Sequence, residues 1–349
     1  MALASPVDWS EFRLDTPEGF GLVRPRFFAE FVVEYPTPEA VLDFYRCVLN
    51  ELDTSLHFVD TGSGRWRRRT AKTDLYLPTW CANPVYWPKK NYCLVMQDVD
   101  VSHGIGDCEL LINYAAREHA GPNPAWLAKI NDPNFRPPLY SSTLTVSFQV
   151  DHPLVSSLRV FDWIANARAL EDASFVSGAA GYAIDVPLNP PESRQGPVAR
   201  ARGGALLQKH PGLTCVSHLS VGTRLLQWDR AYAAGKGSAI PRPYVKRANW
   251  ITMLNGAQVE LLGGLDVLRT KLEVLPGIAI EQVGAAFLIR AGERPQLGDI
   301  STGDVPAEYR AVAQAIKDVT LPMRDIQPEL GQAFDDYGLQ VWYDALAKP

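Results

Sequence analysis

Asp98-Val99-Asp100-Val101-Ser102-His103-Gly104-Ile105-Gly106-Asp107-Cys108-Glu109 holds the densest set of reactive side chains in the chain. Asp98 and Asp100 stand at i and i+2, so on a strand they project to one face. Hard-metal sites and nuclease-like sites use such carboxylates, here followed by a histidine and two more acids. The calcium-loop pattern needs acids at its first, third, fifth and twelfth positions, and this run does not supply them all. A plainer reading is an exposed strand end followed by a polar turn. A metal-dependent hydrolase centred on Asp98–Glu109 is the enzymatic alternative that the sequence leaves open.

Elsewhere the usual catalytic spacings are missing. The histidines His57, His103, His119, His152, His210 and His218 form no H-E-x-x-H pair, and no two cysteines stand in C-x-x-C, so zinc is not expected. Ser217 and Ser220 lie near histidines but outside G-x-S-x-G. A triad drawn from distant residues stays open. Arg65, Arg67, Arg68 and Arg69 surround Trp66, a grouping that can grip phosphates and stack on bases. The phosphate-loop spacing is absent, and the preferred reading is a charged hairpin. No G-x-G-x-x-G follows a strand, so no dinucleotide is expected. Neither metal nor any other cofactor is implied.

The five cysteines (Cys47, Cys81, Cys93, Cys108 and Cys215) suit reduced thiols packed as small apolar groups. Net charge is −5, unevenly spread. Residues 1–60 carry 11 acids and 4 bases, residues 190–250 carry 2 and 10, and residues 299–349 carry 9 and 4. Acidic ends around a basic middle suit either steering of a charged partner or an ordinary interleaved surface. Apolar runs such as Val283–Ile289 are too short to span a bilayer. The opening MALASPVDWSEFRLD has neither a basic n-region nor an apolar h-region, so the protein is expected in the cytoplasm.

These groups need positioning, and a strand–turn–helix phrase occurs three times to supply it. The first is a strand over 26–34, with Phe27, Ala29, Phe31 and Val33 on one face. A helix follows, with Val41, Phe44, Tyr45, Val48, Leu49 and Leu52 as its stripe. The second is a strand over 143–150. Leu144, Val146, Phe148 and Val150 point in, and Thr143, Thr145, Ser147 and Gln149 point to a wet face; a helix with Leu154, Leu158, Phe161 and Ala165 follows. The third is a strand over 249–254, a helix with Leu261, Leu265, Leu268 and Leu272, a Pro276–Gly277 turn and a strand Val283–Ile289. A hairpin region over 56–100, a strand at Tyr92–Val99, a helix after Asp304 and a docked aromatic tail complete the list. The fold class is α+β, with antiparallel or mixed sheets and helices packed on one face. A Pro, Gly and Arg-rich stretch at 188–204 divides an N-terminal half, 1–187, from a C-terminal half, 205–349, within what could be one continuous domain.

An ordered series of segments carries a resemblance. It runs Gly178-Ala179-Ala180-Gly181-Tyr182-Ala183, Lys209-His210-Pro211-Gly212-Leu213, Pro241-Arg242-Pro243, Ala248-Asn249-Trp250-Ile251-Thr252-Met253-Leu254, Leu261-Leu262-Gly263-Gly264, Gly292-Glu293-Arg294-Pro295-Gln296-Leu297-Gly298-Asp299 and Tyr309-Arg310-Ala311-Val312-Ala313. The series resembles the type VI secretion immunity proteins, over residues 20–322 and best after 205. The resemblance implies a non-enzymatic inhibitor that binds one toxin, with nuclease effectors as the expected class, and no membrane or direct nucleic-acid partner. Nuclease sites are electropositive, so acids would speed capture. Asp98, Asp100, Asp107, Glu109, Asp335 and Asp336 are the acidic candidates. Trp80 and Trp87, in an insert that departs from the family pattern, are the anchor candidates.

Overall fold

The computed structural model describes residues 7–17, 19, 21–52, 55–62, 65–87, 90–100, 104–114, 141–172, 174–185, 196–215, 245–320 and 336–347. In chain order the elements begin with β1 (Leu14–Asp15), β2 (Gly21–Glu34), α1 (Pro38–Leu52), β3 (Phe58–Asp60), β4 (Arg67–Arg68), α2 (Ala71–Asp74) and α3 (Tyr76–Cys81). They continue with β5 (Tyr92–Gln97), β6 (Glu109–Tyr114), β7 (Ser141–Gln149), α4 (Pro153–Ser156), α5 (Arg159–Ala165), β8 (Phe175–Asp185), α6 (Gly196–Lys209) and β9 (Thr214–Cys215). The last are β10 (Ile251–Asn255), α7 (Gly256–Leu261), α8 (Leu265–Leu272), β11 (Ile278–Val283), β12 (Ala286–Ala291), α9 (Ala307–Ala315) and α10 (Asp336–Asp344).

Among the described residues twelve strands make one sheet, ordered β11-β12-β10-β8-β2-β7-β6-β5-β3-β4, with β1 added on β2 and β9 on β8. The pairings are antiparallel except that of β8 with β9. The protein is α+β. Strands from both halves of the chain share this sheet, and residues 196–204 of the expected linker are helical. Ala199, Leu206 and Leu207 of that helix pack with Val23, Ile184 and Leu213, which gives the stretch an apolar face to bury.

Alternation and register explain the centre. Phe27, Ala29, Phe31 and Val33 are fully buried. Phe31 pairs with Leu144 on one side and Gly178 on the other, and the row continues to Ile112, Leu94 and Met253. Helix α1 lays Val41, Phe44, Tyr45 and Val48 onto this face, joined by residues of α3, α5, α8 and α9 in one core. Thr37 accepts the Ala40 N–H at the start of α1. Pro25 lies in β2 just beyond the point where β7 pairing ends at Arg26, so its missing N–H costs β7 no ladder bond.

Four expectations need correction. The hydroxyl face of β7 is not wet: Thr143, Thr145 and Ser147 are buried and Gln149 is half-buried. The helix after β7 breaks at Leu158, which takes φ 61°, and resumes as α5. Gly263 and Gly264, both at positive φ, split the next helix into α7 and α8 and leave Leu261 exposed. Val283–Ile289 is a hairpin rather than one strand. Gly284 turns at φ 56°, and the Ala285 N–H donates to Leu170 O at 2.8 Å, so the turn is packed against the body and needs no polar residue.

Gly178 decides the fit of β8 between β2 and β10. A Cβ there would stand 2.6 Å from Glu30 O and 2.8 Å from Met253 Sδ. Gly178→Val is therefore expected to destabilise the fold by about 2 kcal/mol through overpacking, read as a lowered Tm in thermal denaturation. An unchanged Tm contradicts this packing.

Candidate functional site

The 98–109 loop is built around its own carboxylates and three arginines. Asp98 accepts the N–H groups of Asp107, at 2.9 Å, and Cys108, at 3.4 Å. Gly106 makes room for it, since a Cβ there would lie 1.7 Å from Asp98 Oδ1. The loop is pinned to β2, where the Ile105 N–H donates to Gly21 O at 3.0 Å. Asp107 pairs with Arg13 at 3.4 Å and Arg24 at 3.5 Å, and accepts Gln149 at 3.2 Å. Glu109 is buried, accepts Gln97 Nε2 and lies 3.9 Å from Arg26.

Arg26 itself is fully buried. Its guanidinium donates to Ser147 Oγ at 2.9 Å and Gly106 O at 3.1 Å, and pairs with Asp185 at 3.1 Å. Burial pulls its pKa down, but Asp185, Glu109 and Asp98 together more than offset that and hold it above the ordinary value. A divalent cation would have to compete with Arg13, Arg24 and Arg26 for these acids. Among the described residues no three His, Cys, Asp or Glu side chains are placed to hold a metal. Asp100 is half-buried, and His103 lies outside the described residues. Asp335 also lies outside them, and Asp336 begins α10. The sequence supplied the acids; the arginines that answer them lie 80 and more residues away and carried no local signal.

Trp80 and Trp87 are brought together. Their rings meet at 5.1 Å; Trp80 stacks on Tyr92 at 4.8 Å, and Trp87 on Tyr114 at 4.1 Å. Trp80 is only 8% exposed, whereas Trp87 is half-buried. Burial pushes the Tyr114 hydroxyl and the neighbouring Cys81 thiol each up to about 12, so both stay neutral. Leu75, Val85 and Tyr86 stand exposed near this cluster in the chain. The apolar residues at Leu75 and Val85 were not singled out from sequence, because exposure of one Leu or Val has no sequence signature.

The arginine run divides by role. Arg69 forks onto Asp74 at 2.7 and 3.1 Å, beside a reciprocal Thr70–Thr73 cap on α2. Arg67 and Arg68 are exposed on the edge strand β4. That makes a charged hairpin, as expected.

The family-like segments also meet in space. His210 Nδ1 lies 2.7 Å from Gly298 O, the Gly212 N–H donates to Leu297 O at 2.7 Å, and Lys209 pairs with Asp299 at 3.5 Å. Trp250 Nε1 donates to Gly292 O, and Tyr309 Oη accepts the Gln296 N–H. Buried Arg247 donates to Leu213 O and Trp342 O, both at 2.9 Å, and lies over the Trp342 ring. Desolvation pulls its pKa down to about 9. Trp342 Nε1 donates to Leu213 O at 2.8 Å, so the aromatic tail docks on the body.

Trp342→Ala should cost about 3–5 kcal/mol and expose the C-terminal segment to protease, whereas Trp342→Phe should retain most of the packing. Equal Tm and equal proteolysis for wild type and Trp342→Ala would contradict this role.

A family model described as "TsiV: Type VI immunity for VRR-NUC" matches residues 139–342. The fold is also similar to that of a solved Pseudomonas aeruginosa T6SS protein, PA0821. That alignment has a TM-score of 0.61 at 16% identity, and covers 97% of this chain and 91% of that one. At this identity the likeness is one of fold. No curated protein matches the chain.

Proposed function

The chain belongs to the type VI immunity family for VRR-NUC, and from that premise we propose that it binds one cognate VRR-NUC effector and silences it by covering its working surface. The observation that carries this reading is the family match over residues 139–342, more than half of the chain. The action is stoichiometric and non-enzymatic. The proposed place of action is the cytoplasm, where a nuclease meets nucleic acid. No helix among the described residues is long and apolar enough to cross a membrane.

Physical requirements support the reading. A toxin must be held at low concentration, which takes a nanomolar Kd, about −12 kcal/mol. Interfaces of that strength bury on the order of 1,600 Å² and draw their energy from a few anchors. The described strands and the helices packed on them offer such area on regular elements, which lowers the ordering cost of binding. Among the acids and tryptophans nominated from sequence, Trp87 and Asp100 are proposed to reach the effector, with the tail acids Asp335 and Asp336. Trp80, Asp98, Asp107 and Glu109 are proposed to act from beneath, by fixing the aromatic cluster and the 98–109 loop. Among the described residues Asp107 and Glu109 face guanidinium groups, which weighs against the hydrolase alternative.

Co-expression with a cognate VRR-NUC effector tests the proposal. Survival of the host and co-purification of the two proteins are expected. Lethality without complex formation contradicts it.

A further inference from the structure

A cleft of about 270 Å³ opens between α1 and α5. Phe44 and Trp163 line it, and Asp43, Glu51, Asp162 and Arg159 complete its polar lining. Trp163 is half-buried, with its ring braced against Phe44 at 6.2 Å and Phe148 at 5.8 Å. The cleft therefore has a fixed aromatic wall and not a mobile one. Its volume falls below the roughly 300–1,000 Å³ of small-molecule sites. It suits one long side chain.

Charge separates this cleft from the 98–109 loop. In that loop Asp107 and Glu109 are answered by arginines of the same chain. Among the described residues none of Asp43, Glu51 and Asp162 enters an ion pair; Asp43 takes only the Cys47 thiol, at 4.0 Å. Among the described residues Arg159 is the single cation of the lining, and it is exposed. His152 lies beside Glu51, but burial lowers its pKa, so it does not balance the carboxylates at neutral pH. Three carboxylates against one cation leave the cleft net negative beside an aromatic face.

We infer that this cleft receives an arginine side chain from the nucleic-acid-binding face of the effector. The inference deepens the immunity reading and rests on it for the identity of the partner. A planar guanidinium stacks on an indole and forks onto carboxylates, which a compact ammonium does less well. A nuclease needs such cations to hold phosphates, and each one captured here is withdrawn from nucleic acid.

Two measurements on the full-length protein test it. The first compares affinity for the purified VRR-NUC effector between wild type and Asp43→Asn/Asp162→Asn by isothermal titration. Both substitutions lie on helix surfaces and keep side-chain size, and a circular dichroism melt checks the fold. The double variant should bind about 10- to 100-fold more weakly and depend less on salt, while Glu260→Gln/Glu281→Gln stays within about two-fold of wild type. The second titrates Nα-acetyl-arginine amide, or its uncharged citrulline counterpart, and follows the Trp163 indole resonance by NMR. Arginine should shift it, citrulline should not, and the double variant should lose the response. Equal effector affinity in wild type and the double variant overturns the inference, as does an arginine titration that leaves Trp163 unmoved. If wild type binds no effector while the arginine response is present, the cleft stands and the immunity reading falls.

Discussion

Arg26 places a full positive charge at the middle of the sheet, with no exposure to water. Such a charge is tolerated only when paired and hydrogen-bonded. Its guanidinium reaches Ser147 on β7, Asp185 on β8, Glu109 on β6 and Gly106 in the loop before β6. One side chain thus ties β2 to its two neighbours and to the strand beyond. Removing any partner would strand a buried charge, so the register of four strands is fixed together. Next to Arg26, the Asp107 N–H donates to Asp98 and the Asp107 carboxylate pairs with Arg13 and Arg24.

A second polar knot plays the same part in the C-terminal half. Arg247 and Trp342 share the carbonyl of Leu213, next to the contacts of His210 and Gly212 with Gly298 and Leu297. The segments that carry the family likeness are therefore scaffold. They shape the platform on which the rest of the chain is carried.

Much of this was legible. β2 and α1 follow directly from period-two and 3.6-residue apolar spacing, and α9 from Tyr309, Val312 and Ile316, all of which are buried. The hydroxyls of β7 misled because alternation reports side-chain chemistry and not what covers it; Ser147 is buried with Arg26 as its donor. The β11–β12 turn was invisible because it packs on residues 170 and 171 and so lacks polar residues. The acids of the 98–109 loop were readable as a cluster. Their engagement by Arg13, Arg24 and Arg26 depends on contacts across the sheet that no local spacing encodes. The α1–α5 cleft was hidden for the same reason, since Asp43 and Asp162 come from separate helices.

The central claim is that the protein acts by occupying a partner and turns nothing over. Titrating it into a fixed amount of active VRR-NUC effector tests this most directly, with nucleic-acid cleavage as the readout. Activity should fall linearly and reach zero at a fixed stoichiometric ratio, independent of incubation time. Complete inactivation by a small substoichiometric amount, deepening with time, would contradict it.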